Sequence, residues 1–359
     1  MTIERSRNRL AQPFFSICIP QFNRTSFLIE ALKSLERQTC RDFEVCISDD
    51  CSTDGRSAEL LQFLDRSGLS YVFSVQPSNV RYDANLRASI ALASGSYCFL
   101  LGNDDALADE DALADYQRAL AGAPLVGVAT SNFVDARTDA VIRRVHGTRL
   151  LPGGPHTAAR VYRNFSFVSG VVLDRAQAQA NATNRWDGSE MYQTYLATRI
   201  LGDGSMLLYL DRVVVRMGVQ VPGQAVDSVF ARPRLDPCPI VERRIPLSDM
   251  GRLVADALSP SLPADKWHRY AEWVIAQLYL FPYVYWLFTY RRIQSWRFAL
   301  GICLGMRPRN VTAGLHLPAG ARWRLTLVYV LASLSGLALP VSLFEALKRF
   351  LARLAKRLT

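Results

Sequence analysis

Between residues 14 and 133 short apolar runs alternate with stretches of helical period, and this alternation constrains the fold more than any other feature of the chain. The runs are Phe14–Ile19, Phe43–Ser48, Tyr71–Val75, Tyr97–Leu101 and Val126–Phe133. Each is short and mostly apolar, as strands packed on both faces are. After the first, Phe27, Leu28, Ala31, Leu32 and Leu35 recur at helical spacing, and Thr25 or Ser26 can cap that helix. Further helices are expected near Asp83–Ala93 and Asp109–Leu120. Strands alternating with helices of this length predict βαβ units: an α/β fold with a mostly parallel sheet flanked by helices.

Three of the runs end in polar clusters. The first runs into Pro20-Gln21-Phe22-Asn23, the second into Asp49-Asp50-Cys51-Ser52-Thr53-Asp54, and the fourth into Gly102-Asn103-Asp104-Asp105. Side chains just past the carboxyl ends of parallel strands sit where open α/β sheets bind ligands. Adjacent carboxylates repel, and a hard divalent ion with oxygen ligands is the usual remedy. A lone Asp-Asp pair would read as a solvated turn. Three such clusters on one rim predict a nucleotide-sized site.

In this order and spacing, Ile19-Pro20-Gln21-Phe22-Asn23-Arg24, Ser48 to Asp54, and Ala93-Ser94-Gly95-Ser96-Tyr97 leading to Asn103-Asp104-Asp105 resemble the family 2 glycosyltransferases of the GT-A fold, over about residues 14–220. The resemblance implies sugar transfer from a nucleotide diphosphate sugar, with inversion, using Mg²⁺ or Mn²⁺. Tyr82 to Arg87 and Leu101 to Asp105 look most like the branch that builds bacterial surface polysaccharides, including abequosyltransferase-like enzymes. Asp105 is then expected to hold the metal, with Asp104 reaching it through water or meeting the donor ribose or sugar. Asp49 and Asp50 are expected at the nucleobase, with Pro20, Gln21, Phe22 and Asn23 lining the same region. Asn85 and Arg87 are expected near the donor, or else form a surface or capping pair. Cys51 stands where the family carries glycine, and Asn103 opens the metal motif; its carbonyl oxygen still suits a hard cation.

The acceptor side is expected later. Phe167 to Leu173 looks like the strand facing the acceptor, followed by Arg185 to Gln193, where Ser189 or Asp187 can cap a helix. Glu190 matches the family's acidic residue there and is the expected general base, since a helix N-terminus keeps a carboxylate ionised. Asp187 is the alternative base, and both can instead serve only as caps. Trp186 can stack an acceptor sugar or pack in the core. The expected acceptor is a hydroxyl of a polyprenyl-linked glycan. A polyprenyl phosphate acceptor would make Glu190 far less critical, and the alternative of a non-catalytic nucleotide- or glycan-binding membrane partner has Asn103 as its only sequence support. Sugar nucleotidyltransfer is disfavoured, because Pro20-Gln21-Phe22-Asn23 stands where a glycine-rich phosphate loop would.

The net charge of +10 suggests nucleic acid until it is divided. Residues 263–359 hold 14 of the 42 Lys/Arg and 3 of the 32 Asp/Glu, a net of +11, which leaves −1 for residues 1–262. No zinc-finger or aromatic RNA-binding motif accompanies the basic part, so no nucleic-acid partner is expected. Seven cysteines form no CxxC pair, and Met1 to Gln12 carries no signal-peptide core, which predicts a reducing compartment. Trp273–Tyr290 and Leu325–Phe344 are uncharged and near spanning length. Spanning would translocate the seven arginines of 291–324, against the positive-inside rule, so in-plane or re-entrant helices are favoured, with kinks at Pro282 and Pro340. Phe344 to Leu358 forms a basic amphipathic helix suited to an anionic membrane surface. The expected division is a catalytic domain over 1–220, a linker over 221–262, and membrane-associated helices over 263–359, at the cytoplasmic face of the inner (plasma) membrane.

Overall fold

The computed structural model describes residues 2–6, 10–123, 125–224, 246–340 and 342–343. Two compact units divide the chain: residues 1–158 with 162–226, and residues 227–359 with 159–161. Residues 225–245 of the expected linker, and the basic helix expected at Phe344–Leu358, lie outside the described residues.

In the first unit the elements run β1 (Thr2–Arg5), β2 (Phe15–Gln21), α1 (Thr25–Glu36), β3 (Phe43–Asp49), α2 (Ser57–Ser67), β4 (Tyr71–Val75), α3 (Arg81–Ala91), β5 (Tyr97–Leu100), β6 (Ala106–Leu107), α4 (Ala112–Ala121), β7 (Val126–Asp135), β8 (Val141–Ile142), β9 (Arg149–Leu151), α5 (Pro155–Val161), β10 (Val171–Asp174), α6 (Arg175–Ala180), α7 (Tyr192–Gly202) and β11 (Met206–Met217). The sheet order is β1-β4-β3-β2-β5-β10-β7-β11-β6, with β8 on β7 and β9 on β11. Strands β4, β3, β2 and β5 run parallel, as the strand–helix alternation predicts. Strand β10 then enters antiparallel between β5 and β7. The sheet is therefore mixed. An apolar run carries no record of its strand's direction, so this could not be read from periodicity.

Strands β2 and β3 are buried along their whole length. Within β3 the carboxylate Glu44 is buried, and its Oε1 accepts hydrogen bonds from Ser16 Oγ (2.7 Å) and from the backbone N–H and Oγ of Ser94 (2.7 Å each). Beside it, Gly95 lies so close to β2 that a Cβ would stand 2.9 Å from backbone atoms of Pro13, Phe15 and Ser16. The Ser-Gly pair before β5 thus sets the approach of the two strands. Phe15, Phe99 and Tyr116 stack edge to face through the core, with centroids 6.4 and 5.8 Å apart. Truncating the fully buried Phe99 to alanine would cost about 3–5 kcal/mol.

The second unit is helical: α8 (Pro246–Leu258), α9 (Ala264–Leu278), α10 (Val284–Ile293), α11 (Trp296–Gly305), α12 (Pro308–Val311) and α13 (Ala319–Ala338). Helix α8 occupies part of the expected linker, because Leu247, Met250, Leu253, Val254 and Leu258 recur at helical spacing and are buried. The Trp273–Tyr290 stretch is not one straight helix. A π-helical turn at Tyr279–Tyr283 joins α9 to α10 around Pro282, which cannot continue the ordinary ladder. Pro340 acts as expected too: Leu339 before it is extended (φ −63°, ψ 138°), and α13 ends. Among the described residues no helix is long and apolar enough to cross a membrane.

Candidate active site at the strand ends

Because β3, β2 and β5 are parallel neighbours, their carboxyl ends share one rim. Gln21, buried at the end of β2, ties the rim together. Its carbonyl accepts from Asp50 N–H (2.8 Å) and Asn85 Nδ2 (3.0 Å), while its Oε1 accepts from Asn103 Nδ2 (2.8 Å). Pro20 is buried within β2, whereas Phe22 is exposed. Asn23 and Arg24 are both left-handed, at φ 51° and 54°. Asn23 takes the N–H of Thr53 on its Oδ1 (2.7 Å) and gives its own N–H to Ser52 Oγ (2.7 Å), stitching the first two clusters. The cap expected from Thr25 or Ser26 takes another form, since Thr25 gives its N–H and Oγ1 to Asp54.

Asp49 and Asp50 are buried, and backbone N–H groups engage both. Asp49 accepts from Ser52 (2.7 Å); Asp50 accepts from Val80 (2.6 Å) and Arg81 (2.9 Å) at the start of α3. Burial pushes both carboxyls above their ordinary range, against the pull of those N–H bonds. Cys51, where the family has glycine, adopts φ 60°.

The two neighbouring aspartates after β5 face opposite ways. Asp105 turns inward: Oδ2 accepts from Ser169 Oγ (2.5 Å) and Oδ1 from Gly218 N–H (2.8 Å). Burial, and then Asp104, push the Asp105 carboxyl up to about 7. Asp104 stays at the rim, 31% exposed, with Arg24 Nη1 2.7 Å away. The carboxylate presented outward is therefore Asp104, while Asp105, the expected metal holder, has both oxygens occupied inside.

Ser169 is held in turn by a side chain that no sequence pattern singled out. The half-buried Arg144 donates to the carbonyls of Ser131 (2.8 Å), Asn164 (3.2 Å), Phe167 (3.0 Å) and Ser169 (3.1 Å). Its guanidinium lies over the Phe133 and Phe167 rings, 5.1 and 5.6 Å from their centroids. The segment around Phe167 is consequently a loop, and the strand begins only at Val171.

The expected base lies in a turn gripped by α3. Asp83 accepts the N–H groups of Gly188 (2.9 Å), Glu190 (2.8 Å) and Tyr192 (3.1 Å). It thus supplies from across the fold the capping expected of Ser189 or Asp187. Ser189 Oγ takes only the Met191 N–H (3.1 Å), and Asp187 instead forms a bidentate pair with Arg87 at 2.6 and 2.8 Å. Arg87 therefore holds this turn, and Asn85 is buried against Gln21. Helix α7 starts at Tyr192, so Glu190 precedes it, exposed and left-handed at φ 59°. Tyr82, on the same α3, donates to Gln193 Oε1 (3.1 Å). Burial raises its hydroxyl well above the ordinary range, and the negative charges of Asp83, Glu190 and Asp105 raise it further.

Among the described residues no three metal-ligating side chains come together. A magnesium ion bound together with phosphates needs only one or two carboxylates, and the outward Asp104 offers one. The residues present fit such an ion.

The mixed sheet with helices on its faces and acids at its strand ends is a GT-A-like fold. Residues 16–172 match the family described as glycosyl transferase family 2. It is 29% identical over 206 residues to abequosyltransferase RfbV of Salmonella typhimurium, covering 51% of this chain and 57% of that protein. It is 36% identical over 105 residues to a PGL/p-HBAD biosynthesis glycosyltransferase of Mycobacterium bovis, covering 29% and 41%. The chain thus spans about half the length of these curated relatives. The solved structure of S. aureus TarS 1–349 in complex with UDP shares the fold, with a TM-score of 0.58 at 15% identity over 90% of this chain and 88% of that one.

Proposed function

We propose that the chain transfers a sugar from a nucleotide diphosphate sugar to a hydroxyl of a lipid-linked glycan during surface polysaccharide assembly. One observation carries this reading: helix α3 holds the exposed Glu190 through Asp83 (2.8 Å) and, through Asn85, the same Gln21 that takes Asn103 beside Asp104 (3.0 and 2.8 Å), so the expected base and the strand-end acids are fixed to one scaffold. Similarity to an abequosyltransferase and to a PGL/p-HBAD biosynthesis glycosyltransferase supports the substrate class.

The donor diphosphate would lie along Gln21–Arg24 and the outward Asp104, with the Asp49–Asp54 loop shaping the nucleotide end. The metal-facing role passes from Asp105 to Asp104, and Asp105 braces the turn. Neutralising the charge of the departing diphosphate is the chemistry that Mg²⁺ or Mn²⁺ supplies there; Arg24 adds positive charge at the same rim. Glu190 takes the proton of the acceptor hydroxyl as that oxygen bonds to the anomeric carbon. The bond from that carbon to the diphosphate oxygen breaks, and the nucleoside diphosphate leaves with inversion. Arg87 keeps Asp187 engaged, which leaves Glu190 as the base. The basic residues 263–359 support working at the cytoplasmic face of the inner membrane.

The test is titration of the detergent-purified full chain with UDP, GDP, CDP and dTDP, with and without Mn²⁺, beside Asp104→Ala. One preferred nucleotide, bound with metal and lost in the variant, supports the donor site. No metal-dependent binding to any of them overturns it and favours a non-catalytic partner. Glu190→Gln should slow transfer roughly 100- to 10,000-fold; little change would favour a polyprenyl phosphate acceptor.

A further inference from the structure

Helix α13 is apolar on two opposite sides, and the described residues of its own unit cover only one. Ala321, Leu325, Ala332 and Gly336 are buried. Gly336 approaches so closely that a Cβ would stand 2.5 Å from Leu287. On the other side Trp323, Leu327, Val330, Leu331 and Leu334 are 67%, 43%, 42%, 56% and 59% exposed. At 3.6 residues per turn these five fall on a stripe about 100° wide and about 16 Å long. No charged residue interrupts α13 after Arg324. A contiguous bare patch of this kind marks an interaction surface.

Its surroundings say what covers it. Trp323 stands at one end, and at the other Trp296, 52% exposed, donates Nε1 to the Leu337 carbonyl (3.3 Å). Arg291 caps the helix there through the carbonyls of Gly336 and Leu339 (2.8 Å each). Arg322 lies at the first end, and Arg297 follows Trp296 at the second. Between residues 291 and 344 there are seven arginines and no acid. An apolar stripe bracketed by tryptophans and arginines complements the boundary between lipid tails and anionic headgroups. We propose that this face of α13 lies in the plane of an anionic bilayer surface, with the stripe sunk among the upper acyl chains. This rests on the membrane-associated reading and names the surface responsible.

The test uses the full chain with vesicles of phosphatidylcholine alone or mixed with phosphatidylglycerol. One variant is L327Q/L331Q/L334Q, whose sites are exposed, so an unchanged melting temperature verifies its fold. A second is K348Q/R349Q/R353Q in the C-terminal segment. The expected result is sedimentation with the anionic vesicles, weakened at least about tenfold in the leucine variant. Lipids with brominated acyl chains should quench tryptophan emission in the wild type and much less in Trp323→Phe. Wild-type binding in the leucine variant, with loss confined to the second variant, overturns this surface while leaving membrane association standing. A dimer that dissociates in the leucine variant overturns it in favour of a second copy. Failure of the wild type to bind any vesicle overturns both readings.

Discussion

The Asp83 carboxylate, buried in the first turn of α3, accepts the backbone N–H of Glu190 at 2.8 Å and holds that residue left-handed. Residues other than glycine enter that region at a cost, so the turn relies on its partner. In Asp83→Asn one acceptor oxygen is replaced by an amide that faces N–H donors. The expected outcome is a fall in transfer rate of at least about tenfold, with nucleotide affinity unchanged. Turnover measured beside nucleotide titration checks this; equal losses in both would mean that α3 as a whole is disturbed.

The two aspartates after β5 should give opposite signatures. Asp104→Ala removes an exposed carboxylate and should weaken Mn²⁺-dependent nucleotide binding by about tenfold or more, with little change in melting temperature. Asp105→Ala leaves the Gly218 N–H and Ser169 hydroxyl without their acceptor and should cost about 1–3 kcal/mol. Urea unfolding and nucleotide titration on both variants separate the roles.

Arg144→Met keeps much of the volume but removes the donors to four carbonyls. Several buried acceptors lose their partners together, which predicts destabilisation of about 3 kcal/mol or more. Equilibrium unfolding reads it directly. A loss below about 1 kcal/mol would mean that the loop holds itself.

In the second unit Arg324 pairs with Glu272 at 2.6 and 2.8 Å and holds the Glu272 carboxyl below its ordinary value of 4.5. A carboxyl lowered in the folded state stabilises above its unfolded value, and that contribution is lost as pH falls through the folded one. The melting temperature of wild type should therefore drop more steeply than that of Arg324→Gln as pH falls below about 4.5. Parallel curves would show that the pair contributes nothing.

The sequence by itself determined the parallel core and its rim. Strands β2, β3 and β5 are buried on both faces, so they had to be continuous apolar runs, and the polar residues ending them had to fall at the sheet's edge. Tertiary structure decided which side chains look outward. Asp104 and Asp105 are chemically identical neighbours. Asp105 turns inward because Ser169 and Gly218, 64 and 113 residues later, bring a hydroxyl and an N–H to it. Arg144 carries no local signature for the same reason: the carbonyls it holds come from other segments. Periodicity records which residues leave water. The direction of a polar side chain follows from the donors that the rest of the fold delivers to it.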